Sequence, residues 1–357
     1  GIVGRCFKTL GIEMDFYPLD PMDHLIFPHF SIEIPADLDE YIVRLQERYP
    51  LERDKIKDFF RDFIKLYRAT FNNEKSQIID RYKDQTYGEM LNAFFKNEEL
   101  KMILSGQWGY IGLPPAQASA IGMCQMMINY LKDGAFFPAG GTQEFTNAIF
   151  KKFIDFGGHI MLRSAVKQIL YDGKIAIGVK VEDGNEIPSK LIVSNIDAYR
   201  TFFELLQGKL PLPFLQKLEE MKESCSFFLL YLGVSEGIDL SKLKRGFYHT
   251  ATDMSSIEDE WMYVSVPTTI FPTLAPANKQ IISVVAYTKE GKYSDDECWK
   301  SFKENMTQRT INRLEEYVPD IKKHIEVKDA ATSKTLERYT SNTNGAAYGW
   351  AVTADQI

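Results

Sequence analysis

Cysteine is scarce in this 357-residue chain: Cys6, Cys124, Cys225 and Cys298 stand far apart, with no CxxC pair. That spacing excludes a disulfide framework and a thiolate zinc site, and fits reduced thiols packed in the core of a cytoplasmic protein. Histidine is nearly as rare. His24, His29, His159, His249 and His324 form no HExxH or HxH pattern, so no metal is expected. Basic charge is also short, because 42 Lys and Arg against 49 Asp and Glu leave a net charge of −7. With no basic cluster to neutralise a phosphate backbone, nucleic acid is excluded as a partner. No run approaches the ~20 apolar residues that a spanning helix needs. The opening GIVGRCFKTLG lacks the layout of a signal peptide. Nowhere does the GxGxxG spacing of a pyrophosphate-binding loop occur.

What is present is ordinary globular composition, 45% hydrophobic and 25% charged, in a chain long enough for two domains. Residues 37–72 carry the stripe Ile56, Phe60, Phe63, Tyr67, Phe71 at three- and four-residue spacing, which predicts a helix with one buried face. Thr86 with Glu89, ahead of Met90, Leu91, Phe94 and Phe95, reads as a capping box opening another helix. SGQWGYIGLPP interrupts regular structure, and a methionine-rich helix is expected from about Ala116 to Leu131. Between Met161 and Asn195 the period changes to two. Turns at Asp172-Gly173 and Asp183-Gly184 predict an antiparallel meander, closed by a short strand over Leu191–Asn195 and followed by a helical TFFELL. Strands FFLLYLGV, WMYVSVP and QIISVVAYT, with a charged helix from about Asp295 to Glu316, indicate an α+β domain on a mainly antiparallel sheet.

FFPAGGTQEFTNAIFKKFIDFGG sets an amphipathic helix between two glycine pairs. Glycine there serves either turn and cap geometry or the close approach of a ligand. The ordered whole narrows the choice. Phe137-Pro-Ala-Gly-Gly141, the helix ending in Gly157-Gly158, the strand Val166 to Ile169, the hairpin Gly173 to Val179 and the ending Val193-Ser-Asn195 follow one another. That order resembles the FAD-dependent phytoene desaturase family, which includes carotenoid isomerases and retinol saturases. LGIEMDFYPLD, SGQWGYIGLPPAQAS and TLERYTSNTNGAAYGW extend the resemblance over nearly the full chain.

The resemblance implies an α/β flavoprotein: a FAD/NAD(P)-binding Rossmann-like domain, incomplete in this chain, and an α+β substrate domain with a mainly antiparallel sheet and a helical part. The implied division is 1–130, a helix-rich substrate and membrane-facing part; 131–206, the centre of the FAD domain; 207–330, the substrate sheet and helix; and 331–357, the return toward the FAD domain. The implied cofactor is FAD, with NAD(P) a further candidate, and the implied cofactor-binding residues are Gly140, Gly141, Val166, Ser194 and Asn195. Each has a plainer alternative: a turn, a buried strand valine or a strand-end cap. The implied substrate is a long apolar isoprenoid, a carotenoid or retinoid, desaturated or saturated by hydride transfer, or isomerised without net redox change.

A polyene offers almost no hydrogen-bonding atoms, so its affinity must come from apolar burial. Trp108, Tyr110, Met123, Met127, Tyr348 and Trp350 are therefore the candidate substrate-binding residues, each with core packing as its alternative. Glu337 and Arg338 lie near the last of these as a candidate proton-handling pair or a solvated ion pair. Leu25–Phe30, LIFPHF, is either a lipid-dipping segment or a short buried strand, and peripheral membrane contact follows from the substrate's habitat. A noncatalytic apolar-ligand-binding protein is the alternative of another class. Because pyrophosphate binding needs backbone N–H groups of a glycine-rich loop at a helix N-terminus, the 357-residue chain alone is expected to leave gel filtration without stoichiometric yellow flavin; a spectrum showing one flavin per chain would overturn this.

Overall fold

Segments with three- and four-residue apolar spacing form the helices and those with period two form the strands, in a computed structural model that describes residues 2–72, 75–287 and 296–357, the side chains of 296 and 297 excepted. The helices are α1 (Ile2–Leu10), α2 (Leu38–Arg48), α3 (Arg53–Phe71), α4 (Gln77–Tyr82), α5 (Tyr87–Phe94), α6 (Glu98–Ser105), α7 (Ala120–Asp133), α8 (Thr142–Asp155), α9 (Leu212–Glu220), α10 (Asp296–Tyr317), α11 (Ile321–His324) and α12 (Ser333–Thr340). The strands are β1 (Phe16–Leu19), β2 (Asp23–Ile26), β3 (Ser31–Ile34), β4 (Ala135–Pro138), β5 (Val166–Tyr171), β6 (Ala176–Val181), β7 (Glu186–Pro188), β8 (Phe228–Val234), β9 (Gly246–His249), β10 (Trp261–Ser265), β11 (Gln280–Tyr287) and β12 (Ile325–Ala331). The chain forms two units. One holds the residues up to Lys152, Phe227–Ala331 and Val352–Ile357; the other holds Phe153–Ser226 and Thr332–Ala351.

The first unit is built on a seven-stranded sheet in the order β12-β8-β11-β10-β9-β2-β3, antiparallel except for the β2–β9 pair. Alternation puts Phe228, Leu230, Leu232 and Val234 of β8 on one face, in a core with Ile282 and Val284 of β11 and with Phe302, Met306 and Leu314 of α10. The helical side holds Ile56, Phe60, Phe63 and Tyr67 of α3 buried, as their spacing predicts, while Phe71 at the helix end is half exposed. Thr86 and Glu89 form the expected capping box on α5, each side chain accepting the other's backbone N–H, at 3.2 and 2.8 Å. LIFPHF proves to be a buried strand and turn, with Leu25 and Phe27 in the core. The cysteines correct the expectation that all four are core residues: Cys124 is buried, but Cys6 and Cys298 are exposed. Thr288 and Asp295, which the sequence reading placed in a strand and a helix, lie outside the described residues.

In the second unit β5, β6 and β7 form the expected meander. At both turns the glycine takes positive φ, 100° at Gly173 and 91° at Gly184, beside an aspartate whose carboxylate accepts backbone N–H groups ahead of it. TFFELL winds as a π-helix over Arg200–Leu205. The strand expected over Leu191–Asn195 is absent. This segment has no ladder partner among the described residues, and Leu191 and Val193 are 77% and 84% exposed. Apolar composition makes a strand only where a neighbour accepts its backbone hydrogen bonds.

SGQWGYIGLPP is a wedge set against the sheet of the first unit. A Cβ on Gly109 would lie 2.5 Å from the Trp261 ring and 2.7 Å from that of Phe247, so only glycine allows the approach. Trp108 donates its indole N–H to the Ile257 carbonyl at 3.0 Å. The wedge is also tied to Asp23, a fully buried carboxylate. Its Oδ2 accepts from Gln107 at 2.7 Å and from the Tyr110 hydroxyl at 2.8 Å; its Oδ1 faces Arg245 at 3.3 Å and the Tyr263 hydroxyl at 3.2 Å. Burial raises the Asp23 carboxyl against the pull of Arg245.

His249 closes the same region, with Nε2 2.8 Å from the Gly106 carbonyl and its ring stacked on Phe27 at 4.5 Å. A carbonyl is an acceptor, so Nε2 carries the proton. Burial pushes the imidazole down to about 4, so it is neutral at pH 7. A folded-state value below the unfolded one means that its stabilisation is present above pH 6.5 and is lost as pH falls toward 4. Wild type is expected to lose about 3 kcal/mol across that interval from this group. His249→Gln, which keeps a donor for Gly106 and does not titrate, should show a correspondingly shallower slope in urea denaturation.

Candidate functional site

Two stretches of the second unit far apart in sequence converge on one cavity of about 280 Å³: Asn195 to Ala198, directly after the meander, and Asn342 with Tyr348, Gly349 and Trp350. Asp197 joins them. Its Oδ2 accepts the Thr343 N–H at 3.0 Å, its Oδ1 accepts the Arg200 N–H at 3.1 Å, and its own carbonyl accepts from the Thr201 N–H. The Ser194 hydroxyl lies 2.7 Å from that of Thr201, so the chain before the cavity is anchored to the π-helix behind it.

The aromatic wall is held by backbone. Gly349 O accepts from the Ser224 N–H at 2.8 Å, the Ser224 hydroxyl accepts from the Tyr348 N–H at 3.0 Å, and Trp350 bridges Glu223 in antiparallel fashion. Asn342 donates its amide to the Ala346 carbonyl at 2.8 Å and so closes the loop upon itself. That loop passes so near α12 that a Cβ on Gly345 would lie 2.0 Å from the Ser333 carbonyl oxygen, with φ at +66°. The result is a cavity with one polar rim, from Asn195 and Asp197, and one aromatic rim, from Tyr348 and Trp350.

No family model matches the sequence. The chloroplastic prolycopene isomerase of Arabidopsis thaliana is 22% identical over 98% of this chain and 63% of its own length. The 4,4'-diapophytoene desaturase of a Methylomonas species is 24% identical over 91% of the chain and 68% of that protein. The all-trans-retinol 13,14-reductase of Danio rerio is 25% identical over 75% and 50%. Among solved structures, an oxidoreductase from Methanosarcina mazei superposes with a TM-score of 0.63 at 15% identity, over 93% of this chain and 73% of that one. At identities of 22–25% the chain is similar to carotenoid isomerases, a carotenoid desaturase and a retinol reductase. It spans less than two thirds of the Arabidopsis relative's length. Its fold is that of the Methanosarcina mazei oxidoreductase.

Of the residues that the family resemblance singled out, Asn195, Tyr348 and Trp350 line this one cavity, with Ser194 adjoining it. Val166 opens β5 in the same unit and is 38% exposed, not the buried strand valine of the plainer reading. Gly140 and Gly141 belong to the first unit and have φ of 75° and 94° at the entry to α8, so the turn there requires glycine on conformational grounds alone. Trp108, Met123 and Met127 correct the expectation of a ligand channel. They are 0%, 0% and 2% exposed, filled around by their own neighbours, and present no surface to a ligand. Tyr110 keeps some exposure but commits its hydroxyl proton to Asp23. Glu337 is ion-paired to Arg200 at 2.8 Å, a partly exposed structural contact.

Sequence reasoning missed Asp197, Asn342 and Ser224, which build the cavity; the aspartate after Val193-Ser-Asn195 was the available signal, since a strand end followed by Asp favours backbone capping. The cofactor fits this arrangement in part. A cavity of about 280 Å³ is at the lower edge of small-molecule sites and accommodates a portion of a dinucleotide. The pyrophosphate-binding GxGxxG loop is not in this sequence. Asp197→Ala removes the acceptor of two backbone N–H groups and is expected to cost about 1–3 kcal/mol locally. Faster hydrogen exchange at the Thr343 amide, with the core strands of the first unit unaffected, is the outcome that checks it.

Proposed function

We propose that the chain is part of an FAD-dependent oxidoreductase that desaturates or saturates carbon–carbon bonds of a long apolar isoprenoid, a carotenoid or a retinoid. The observation that carries this reading is the meeting of Asn195 with Tyr348 and Trp350 at one cavity, polar on one rim and aromatic on the other. The relatives support it by their names, which include a desaturase and a retinol reductase.

Bound flavin supplies the hydride chemistry. The chain's own residues place the partners and exclude water. Val166, which is 38% exposed, and the neighbouring Ser194 and Asn195 are the residues of the second unit proposed to face the cofactor. Tyr348 and Trp350 are proposed to flank the polyene, where aromatic faces bury apolar surface without asking for hydrogen bonds. Asp197 is not assigned a proton-transfer role, because both of its carboxylate oxygens already accept backbone N–H groups. Peripheral contact with a bilayer belongs to the same proposal, since the substrate resides there; among the described residues no helix is long and apolar enough to cross a membrane.

A second reading, redox-neutral cis–trans isomerisation on reduced flavin, is favoured by one observation: the prolycopene isomerases match over 98% of this chain. Product mass separates the two. With flavin and a polyene supplied to the enzyme, a change of two hydrogens identifies desaturation or saturation, and unchanged mass with altered geometry identifies isomerisation. Trp350→Ala is expected to lower kcat/KM for the polyene roughly tenfold or more in either case. Unaltered kcat/KM would remove Trp350 from the substrate wall, and no turnover of any carotenoid or retinoid by the whole oxidoreductase of which this chain is proposed to be part would remove the proposal.

A further inference from the structure

A second cavity lies in the first unit, where α1, α3 and α7 meet. It measures about 390 Å³. Three cations line it, Arg5 from α1, Arg68 from α3 and Lys132 from α7, against one carboxylate, Asp133. This is an uncommon concentration of positive charge in a chain of net charge −7. Asp133 offsets it only in part. Arg44, Arg48, Arg61, Arg81, Arg200 and Arg245 all reach carboxylates, whereas Arg5, Arg68 and Lys132 make no ion pair with any described residue.

The wall behind the cations is fixed. Tyr67 is buried and donates its hydroxyl to Asn129 Oδ1 at 2.8 Å; Asn129 in turn donates to the Gln125 carbonyl at 2.8 Å. The Lys132 ammonium sits 5.5 Å from the centre of the Tyr67 ring, which holds a cation at the cavity without neutralising it. Apolar surface continues at the rim, where Ile2 and Phe71 are each about half exposed.

We infer that this cavity is a binding site for a phosphate-bearing ligand with an apolar or uncharged remainder. Two guanidinium forks and an ammonium match the oxygens of a tetrahedral dianion. The volume exceeds what inorganic phosphate needs and falls within the range of small-molecule sites. Ile2 and Phe71 are placed to meet the remainder. The same chemistry is offered by a free phosphate monoester and by the head group of an anionic phospholipid, and one experiment distinguishes them.

The purified 357-residue chain is titrated calorimetrically with glycerol 3-phosphate at low ionic strength. In parallel it is floated with vesicles of phosphatidylcholine, with and without phosphatidic acid. The variants are the exposed pair Arg68→Gln with Lys132→Gln, and Arg61→Gln on the same helix, whose partner is Asp58. Circular dichroism confirms that each is folded. Binding in either arm that weakens at least about tenfold in the double variant, stays unchanged in Arg61→Gln and fades with added salt supports the site. The arm in which binding occurs names the source. Absence of binding in both arms, or binding that survives the double substitution in a folded protein, overturns the inference.

Discussion

The buried carboxylate of Asp23 is the constraint around which the first unit is arranged. An ion taken wholly out of water must find its partners inside the protein, or its burial costs several kcal/mol. Here the partners come from three separate places: Gln107 and Tyr110 from the glycine-rich wedge, Arg245 before β9, and Tyr263 within β10. Satisfying one side chain therefore fixes the wedge on the sheet and the β2 strand beside β9. Around this polar knot the packing is aromatic, with Tyr110 stacked on Tyr130 at 5.1 Å and Phe247 edge-on to both Tyr110 and Trp261. Rings of that size tolerate few arrangements, and Gly109 is small because the Trp261 ring occupies the room a side chain would need.

That arrangement also explains what was and was not legible in the sequence. Local signals were accurate where the physics is local. The Thr86–Glu89 box, the stripe on α3 and the two aspartate-glycine turns each depend on residues within about a turn or a hairpin of one another, and each appears at its place. The Asp23–Arg245 pair spans 222 residues and leaves no local trace. β9 and β12 were overlooked for a related reason: β9 is only four residues long, and β12, IEVKDAA, is too polar to alternate. Both are strands because β10, β2 and β8 offer them ladder partners. The inverse error occurred at Leu191–Asn195, apolar enough for a strand but without a partner.

The same distinction applies to the candidate ligand residues. Trp108, Met123 and Met127 were attractive because large, adaptable apolar side chains suit a hydrocarbon, yet they suit a core equally well, and composition carries no information on which they meet. In this fold Trp108 meets Trp261 and Tyr287, Met127 meets Tyr87, and Met123 is fully buried. Tyr348 and Trp350 differ because their segment is held by backbone bonds from Ser224 and Glu223, which leaves the side chains to face a cavity. Motif order located that segment; hydrogen bonding determined which way it turns.

The composition of that cavity bears on what it can hold. Its polar lining groups are mostly already committed: Asp197 to two N–H groups and Asn342 to a carbonyl. A rim so satisfied gives shape and fixed dipoles but supplies no acid or base of its own. Its opposite rim offers aromatic surface, which attracts apolar or π-rich matter and discriminates little among such ligands. A site of this kind positions a reactive group brought by another molecule and leaves the chemistry to it.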